Sequence, residues 1–320
     1  MNDLTPHAND WSLFYELRLP HMTVHRYQAL TDDIVQDFLA DLDVIYLVET
    51  DYDPQRPSQK PLFKMAREAG VKTVLHINPE LCRWAQDPEW AAPDVFAAPT
   101  PWLAGTLLAG LPNLVLLPMP VSFGGMEAPL QEIRTNAFTF LHNAGWPAMQ
   151  DRAGTQTVVD AIQFINSPVR IRIRAHQPPA QPHHLPSHIK LGIENVVCRH
   201  WSEAYWPADV LLAPRAYGGL SLPLLEAYAC GIPAVTLNRE PENAMVPESC
   251  LLPVTMHREV KMQGGWVNVE MTTPKHIADK VDELANDPGL VRSLSETALD
   301  WAKRNSWEQL LPRWMEVLAP

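Results

Sequence analysis

Residues 208–235 read ADVLLAPRAYGGLSLPLLEAYACGIPAV, a strand, a loop, a helix and the start of a second strand in one run. ADVLLAP is apolar without polar alternation, the pattern of a parallel strand covered on both faces. Arg215 to Ser221 follow as a turn of mostly small residues, and Pro223 opens a short apolar helix that carries one acid, Glu226. PAVTLN (233–238) supplies the next strand. In a doubly wound sheet the ligand crevice lies beyond the carboxyl ends of the strands, so this loop is delivered to it. Gly218 and Gly219 let backbone approach a ligand closely, and the helix start offers unpaired N–H groups and a positive dipole end to an anion. Glu226 is repelled by that same anion, but it can accept hydrogen bonds from vicinal hydroxyls such as those of ribose. Loop and acid together suit a nucleotide. Spacing alone leaves open an ordinary surface-facing glutamate.

The same rhythm extends in both directions. DVIYLV (43–48), VKTVLHI (71–77), PDVFAAP (93–99) and NLVLLPMP (113–120) read as strands, with helices expected at Lys60–Ala69 and in TPWLAGTLL. After VSFGGMEAP, which reads as a linker, it restarts with NAFTFLHNAG (136–145) and a helix from about Gly154 to Asn166. VRIRIRA (169–175) and ENVVCRH (194–200) are further expected strands. Thr273-Pro274 marks a helix start, Ser306-Trp307-Glu308-Gln309 reads as a capping box, and Pro312 is expected to kink or restart the last helix. The expectation is an α/β protein with two doubly wound, Rossmann-like halves. Residues 1–122 form the first domain, 123–135 a linker, 136–300 the second domain and 301–320 a closing helix.

Composition narrows the function classes. At 320 residues, 46% hydrophobic and 19% charged, the chain is long enough for two cores and has no run suited to a membrane span. Its amino terminus lacks the order of a secretory or transit peptide, so cytoplasm is the default. The four cysteines lie far apart without a CxxC pair, against a zinc knuckle or disulfide framework. A formal charge of −12 disfavours nonspecific binding to nucleic acid without excluding a local basic groove. No GxGxxG is present, which weakens a dinucleotide oxidoreductase reading.

The 208–235 run resembles the nucleotide-sugar signature of retaining GT-B glycosyltransferases: a strand, a Glu-Gly-Phe-Gly-like loop, and a second Glu after seven intervening residues. The resemblance implies a GT-B fold, two Rossmann-like domains facing across a cleft, with final helices crossing back to the first domain. It also implies a nucleotide diphosphate sugar, taken as a UDP-sugar, as donor substrate, with no cofactor or metal required. Glu226 matches the second acid, which in that family holds the ribose, and Tyr217, Gly219, Leu220, Ser221 and Leu222 match the loop around the diphosphate. The first acid, which contacts the sugar, is replaced by Gly218. In FTFLHNAG, Asn143 and Gly145 fall at a strand's carboxyl end, and Arg152 stands before Gly154-Thr155, where the family has a basic residue facing the diphosphate. Arg170, Arg172 and Arg174 alternate with apolar residues, as expected of an edge strand or one whose end opens on the cleft; Arg174, nearest that end, is a further candidate for the diphosphate. His176, His183, His184 and His188 lie in a proline-rich loop with no ligand-frame spacing.

In the first half, VETDYD contains Asp-x-Asp, used for metal by the other major glycosyltransferase fold, but here Glu49, Asp51 and Tyr52 read better as lining the acceptor side. His76, Asn78 and Glu80 fall at the end of the next strand; Asp51 and Asn78 fit helix capping equally well. Glu49, Asp51, His76 and Arg152 are the catalytic candidates. The order of motifs also resembles compact bacteriophage glycosyltransferases, which implies 5-hydroxymethylcytosine in DNA as acceptor and DNA as partner, in the host cytoplasm. A phage structural protein is the alternative acceptor. A nucleotide-sugar epimerase and a non-catalytic nucleotide-sugar-binding module are the alternative functions.

Overall fold

A computed structural model describes residues 32–47, 62–77, 93–100, 111, 113–123, 138–145, 151–195, 198, 201–262 and 265–320. Two parallel sheets organise them. The first has strands β1 (Val44–Leu47), β2 (Lys72–His76), β3 (Val95–Ala98) and β4 (Leu114–Leu116), adjacent in chain order. Helices α1 (Asp32–Leu39) and α2 (Leu62–Glu68) bring Leu39 and Ala66 against Ile45 and Val71 in a small apolar cluster. Asp94 fastens β2 to the turn before β3 by accepting from the Thr73 amide and hydroxyl at 2.8 and 2.7 Å.

The second sheet has β5 (Thr139–Gly145), β6 (Arg170–Ala175), β7 (Lys190–Glu194), β8 (Val210–Ala213), β9 (Ala234–Leu237) and β10 (Leu251–Leu252), in spatial order β10-β9-β8-β5-β6-β7. Counted from β5 this is the 3-2-1-4-5-6 order of the dinucleotide-binding fold, and it reverses direction between β5 and β8. β8 and β9 are buried at every position, as their unbroken apolar runs require. Around this sheet, α3 (Thr155–Ala161) lies against α5 (Pro274–Asn286), and α4 (Leu222–Ala229) against α6 (Pro288–Arg304).

The last helix, α7 (Trp307–Leu318), joins the two sheets. Trp314 Nε1 donates to the Pro118 carbonyl at 3.0 Å, its ring packs 5.4 Å from that of Tyr46, and Val121 N donates to Asn305 O at 2.7 Å. One apolar core therefore runs from Val74, Ala97 and Leu117 through Trp314 into the second sheet.

The structure departs from local expectation at five points. β7 lies at Lys190–Glu194, with Arg174 of β6 opposite Glu194; of the expected 194–200, Glu194 is in a strand, Asn195 and Cys198 are not, and the rest lie outside the described residues. β6 is not an edge strand; β5 and β7 flank it. Ser306 is the N-cap of α7 but makes no side-chain cap bond, and α7 continues through Pro312 without restarting. An antiparallel hairpin, β11 (Met256–Met262) and β12 (Gly265–Met271), occupies a stretch where no strand was expected. Its β11 sequence MHREVKM is largely polar, and among the described side chains Val267 and Val269 of β12 are buried against Ala216 and Tyr217, with Val260 packed beside them.

Candidate active site

The reversal between β5 and β8 places two chain ends side by side: Asn143 to Gly145 at the end of β5, and Pro214 to Ser221 beyond β8. A register shift between Asn143 and Gly145 interrupts the ladder with β6, which resumes at Gly145 opposite Ala175.

The loop after β8 is fastened by its carbonyls. Arg215 O accepts from Arg239 Nε at 3.0 Å, Ala216 O from the Glu270 amide at 2.8 Å, and Tyr217 O from Arg152 Nε at 3.4 Å. Gly218 O accepts from Arg239 Nη2 at 3.0 Å, and Gly219 O from the Thr100 hydroxyl at 3.2 Å. Five consecutive carbonyls are thus held from four elements, which fixes the orientation of the intervening peptides. Gly218 sits at φ 134°, a value that L side chains rarely adopt. The amides of Gly218 and Leu220 have no hydrogen-bond partner among the described residues. Arg239 is buried in an ion pair with Glu242, 2.8 Å between Nη2 and Oε1. Thr100, which follows β3, ties the first sheet's carboxyl-end loops to the second's.

Two helices start at this reversal, and they differ. The first amides of α3, from Thr155 and Gln156, are taken at 2.9 and 2.8 Å by the two oxygens of Asp151. The α4 N-cap, Ser221, makes no such bond, and its Oγ lies 3.4 Å from Arg215 Nη1. An anion is therefore favoured at α4, where amides, helix dipole and a guanidinium converge, and opposed at α3, where a carboxylate already stands. Arg152 stacks over the Tyr217 ring, 5.2 Å from its centroid, so a second guanidinium borders the same loop. Gly154 allows this closeness: at φ 72° its Cα lies where an added Cβ would meet Pro214 O at 2.4 Å.

Glu226 does not face bulk water. It is 4% exposed, and its Oε2 accepts from the Tyr205 hydroxyl at 2.6 Å. Burial, followed by the Glu226 charge, pushes the Tyr205 pKa well up, so that hydroxyl keeps its proton and donates. The Cys230 thiol, pushed up to about 12 by burial and then by Glu226, is protonated as well. Asn143 acts on the Tyr205 hydroxyl in the opposite sense, and its own Oδ1 is buried without a hydrogen-bond partner among the described residues.

The structure thus gathers Asn143, Gly145, Arg152, Tyr217, Gly219, Leu220, Ser221, Leu222 and Glu226 around the ends of β5 and β8. Arg174 is directed elsewhere: its terminal nitrogens donate to the carbonyls of Glu203 and, at 2.7 Å, Trp206. Arg172 is held by both oxygens of Glu194 at 3.2 and 2.7 Å and donates to Trp206 O and Pro207 O. These arginines cover their face of β6 with the chain segment that carries Tyr205, which explains how an interior strand accommodates them. His76 is 4% exposed and enclosed by Tyr46 and Trp314, with its Nδ1 bonded to the Tyr46 hydroxyl. Desolvation, only partly offset by the Leu117 backbone, lowers its pKa to about 4, so it is a neutral core residue at pH 7. Glu49, Asp51, Tyr52, Asn78 and Glu80 lie outside the described residues. Of the histidine-rich segment, His188 bonds Ile165 O at 3.0 Å, and no metal-ligand group of three forms among the described residues. No described helix is long and apolar enough to cross a membrane.

Sequence reasoning missed Tyr205, Arg215, Arg239 and Thr100. Arg215 was within the quoted loop and could have been weighed for its charge alone. The other three reach the site from distant elements and carry no local signal.

No family model matches the chain, and no curated protein matches it in sequence. Solved structures do match in fold. TarM superposes with a TM-score of 0.60 at 13% identity, over 90% of this chain and 58% of TarM. Sucrose-phosphate synthase from Thermosynechococcus elongatus gives 0.61 at 12%, over 89% and 75%. Anabaena Alr3699/HepE, solved with UDP and glucose, gives 0.59 at 11%, over 97% and 88%. This chain spans little more than half the length of TarM. Two parallel α/β sheets with facing carboxyl ends, bridged by the last helix, constitute the GT-B fold, and that is the fold of this chain.

Proposed function

We propose that the protein is a glycosyltransferase that moves a sugar from a UDP-sugar to an acceptor hydroxyl, with retention of anomeric configuration. The observation that carries this reading is the pairing at α4: a buried carboxylate, Glu226, one turn inside a helix whose N-terminus lacks a capping carboxylate and is bordered by Arg215 and Arg152. The helix end suits a diphosphate, and the acid suits ribose hydroxyls. Structures of the same fold were solved with UDP and a sugar, HepE with glucose and the pneumococcal O-GlcNAc transferase GtfA with GlcNAc, which supports the choice of donor. The division into residues 1–122 and 136–300, with 301–320 returning, belongs to this proposal.

Departure of the diphosphate develops negative charge at the loop. Arg152, Arg215 and the amides of Gly218 and Leu220 are fixed in place before the reaction, so they stabilise that charge without reorganising; a single such donor is commonly worth about a hundredfold or more in rate. A front-side retaining transfer needs no protein nucleophile. Glu49 and Asp51 remain the candidates to orient the acceptor. His76, enclosed and neutral, is not carried forward.

For the acceptor we take 5-hydroxymethylcytosine in phage DNA, on the strength of the motif order, with a host-cytoplasmic setting. Reaching a base within a cleft requires its extrusion from the duplex. Gly218, standing where the signature has its first acid, favours one rival: a module that binds nucleotide sugars without turnover. Incubation with UDP-glucose, UDP-galactose and UDP-GlcNAc separates these outcomes. UDP release that depends on hydroxymethylated DNA, with a new nucleoside mass, supports the full reading; release with a protein acceptor corrects the acceptor; sugar conversion without acceptor indicates an epimerase; binding without turnover indicates the module.

A further inference from the structure

We infer that Tyr205 is a positioning residue that sets the orientation of the Glu226 carboxylate and thereby the protein's preference for ribose over 2′-deoxyribose in the donor. This inference rests on the reading of Glu226 as the ribose acceptor.

A glutamate side chain has three rotatable bonds, and a carboxylate that must accept from two adjacent hydroxyls needs its plane fixed. Tyr205 is 1% exposed and donates to one carboxylate oxygen at 2.6 Å. Its hydroxyl keeps its proton because burial and the adjacent charge hold its pKa well up, so it donates to the carboxylate.

The phenol is itself anchored. Tyr205 follows the short turn Trp201–Ala204, its amide donates to Ser202 O at 3.0 Å, and its ring meets Trp201 edge-on at 6.3 Å between centroids. The carbonyls on either side of it are gripped from β6: Glu203 O and Trp206 O by Arg174, Trp206 O and Pro207 O by Arg172, with Glu194 holding Arg172 through two bonds. β6 in turn pairs with β5, Arg174 opposite Asn143, so the frame that locates Tyr205 is the same sheet that forms the site. This accounts for Arg172 and Arg174 of VRIRIRA without a phosphate contact: they hold the loop that aims the acid.

The test is calorimetric titration of wild type, Tyr205→Phe, Glu226→Gln and Arg174→Gln with UDP and with 2′-deoxy-UDP, each protein first checked for native circular dichroism. Tyr205→Phe keeps the ring and deletes one donor to a charged group. Its expected effect is a loss of UDP affinity on the order of tenfold, with a smaller UDP to 2′-deoxy-UDP affinity ratio. Glu226→Gln should lose more of both. Arg174→Gln, which loosens the brace and leaves the hydroxyl in place, should lower the ratio in the same direction and gives the answer should Tyr205→Phe fail to fold. If Glu226→Gln lowers the affinity and the ratio while Tyr205→Phe and Arg174→Gln leave the ratio at the wild-type value, the positioning role is wrong and the ribose reading stands. If Glu226→Gln binds both ligands as wild type does, or wild type binds none of UDP, ADP and GDP, the ribose reading itself fails.

Discussion

His76 makes the fold's stability depend on pH in a way that can be worked out from its surroundings. Its pKa is lowered to about 4 because the ring is desolvated between Tyr46 and Trp314, whereas an unfolded histidine titrates near 6.5. The unfolded state therefore binds the additional proton, and acidification favours it. Stability is full above pH 6.5, declines as the pH falls toward 4, and loses nothing further from this group below that. At pH 5.0 the bias is about thirtyfold, or about 2 kcal/mol, and the complete loss is about 3 kcal/mol. The assay is urea unfolding of wild type and His76→Phe at pH 7.5 and pH 5.0. Phenylalanine keeps an aromatic ring against Trp314 but cannot titrate. His142, whose pKa is lowered by burial at the end of β5, and Glu270, raised by partial burial, titrate in both proteins and cancel in the difference. Wild type should lose about 2 kcal/mol more than the variant between the two pH values. Equal losses would show that His76 is solvated or charged in the folded protein and would return it to the list of catalytic candidates.

Gly154→Ala should cost more than about 2 kcal/mol, since a left-handed backbone alone costs an L residue roughly 1–2 kcal/mol and the new methyl would lie 2.4 Å from Pro214 O; thermal unfolding at wild-type Tm would contradict the close approach of α3 and β8. Arg239→Met leaves Glu242 buried and releases the carbonyls of Arg215 and Gly218, for an expected loss of about 3–5 kcal/mol in urea unfolding; a change under 1 kcal/mol would mean that the ion pair is solvated. Thr100→Val deletes the hydroxyl that meets Gly219 O across the two sheets, for an expected loss of about 1 kcal/mol in urea unfolding; unchanged unfolding would show that the contact does not restrain the loop.

What could be read from the chain alone was whatever depends on local pattern. β8, α4 and β9 announce themselves through an unbroken apolar strand, two glycines, and a proline at the helix start. Thr273, expected to begin a helix, does so, with its hydroxyl accepting from the His276 amide. Glu226 stood out because an acid among Leu224, Leu225 and Ala227 needs a reason. The parts that escaped depend on contacts between distant residues. The sequence suggests an edge strand for Arg172 and a diphosphate contact for Arg174 because nothing local reveals that carbonyls of Glu203, Trp206 and Pro207 lie over them. β7 begins four residues before the expected strand because KLGIE offers only two apolar residues, Leu191 and Ile193, split by a glycine, and its register comes from β6. The β11–β12 hairpin shows one apolar face only against Ala216 and Tyr217, so its charged outer strand resembles a loop when read alone. His76 reads as a reacting group because a strand's end is where such groups occur; the helix whose Trp314 packs against it comes from the far end of the chain.

A crystal structure of the protein with UDP tests the central claim most directly. The account predicts the ribose hydroxyls within hydrogen-bond reach of Glu226 and the diphosphate against the Gly218–Ser221 amides at the start of α4, beside Arg152 and Arg215. UDP bound at another place, or bound here with its ribose turned away from Glu226, would contradict it.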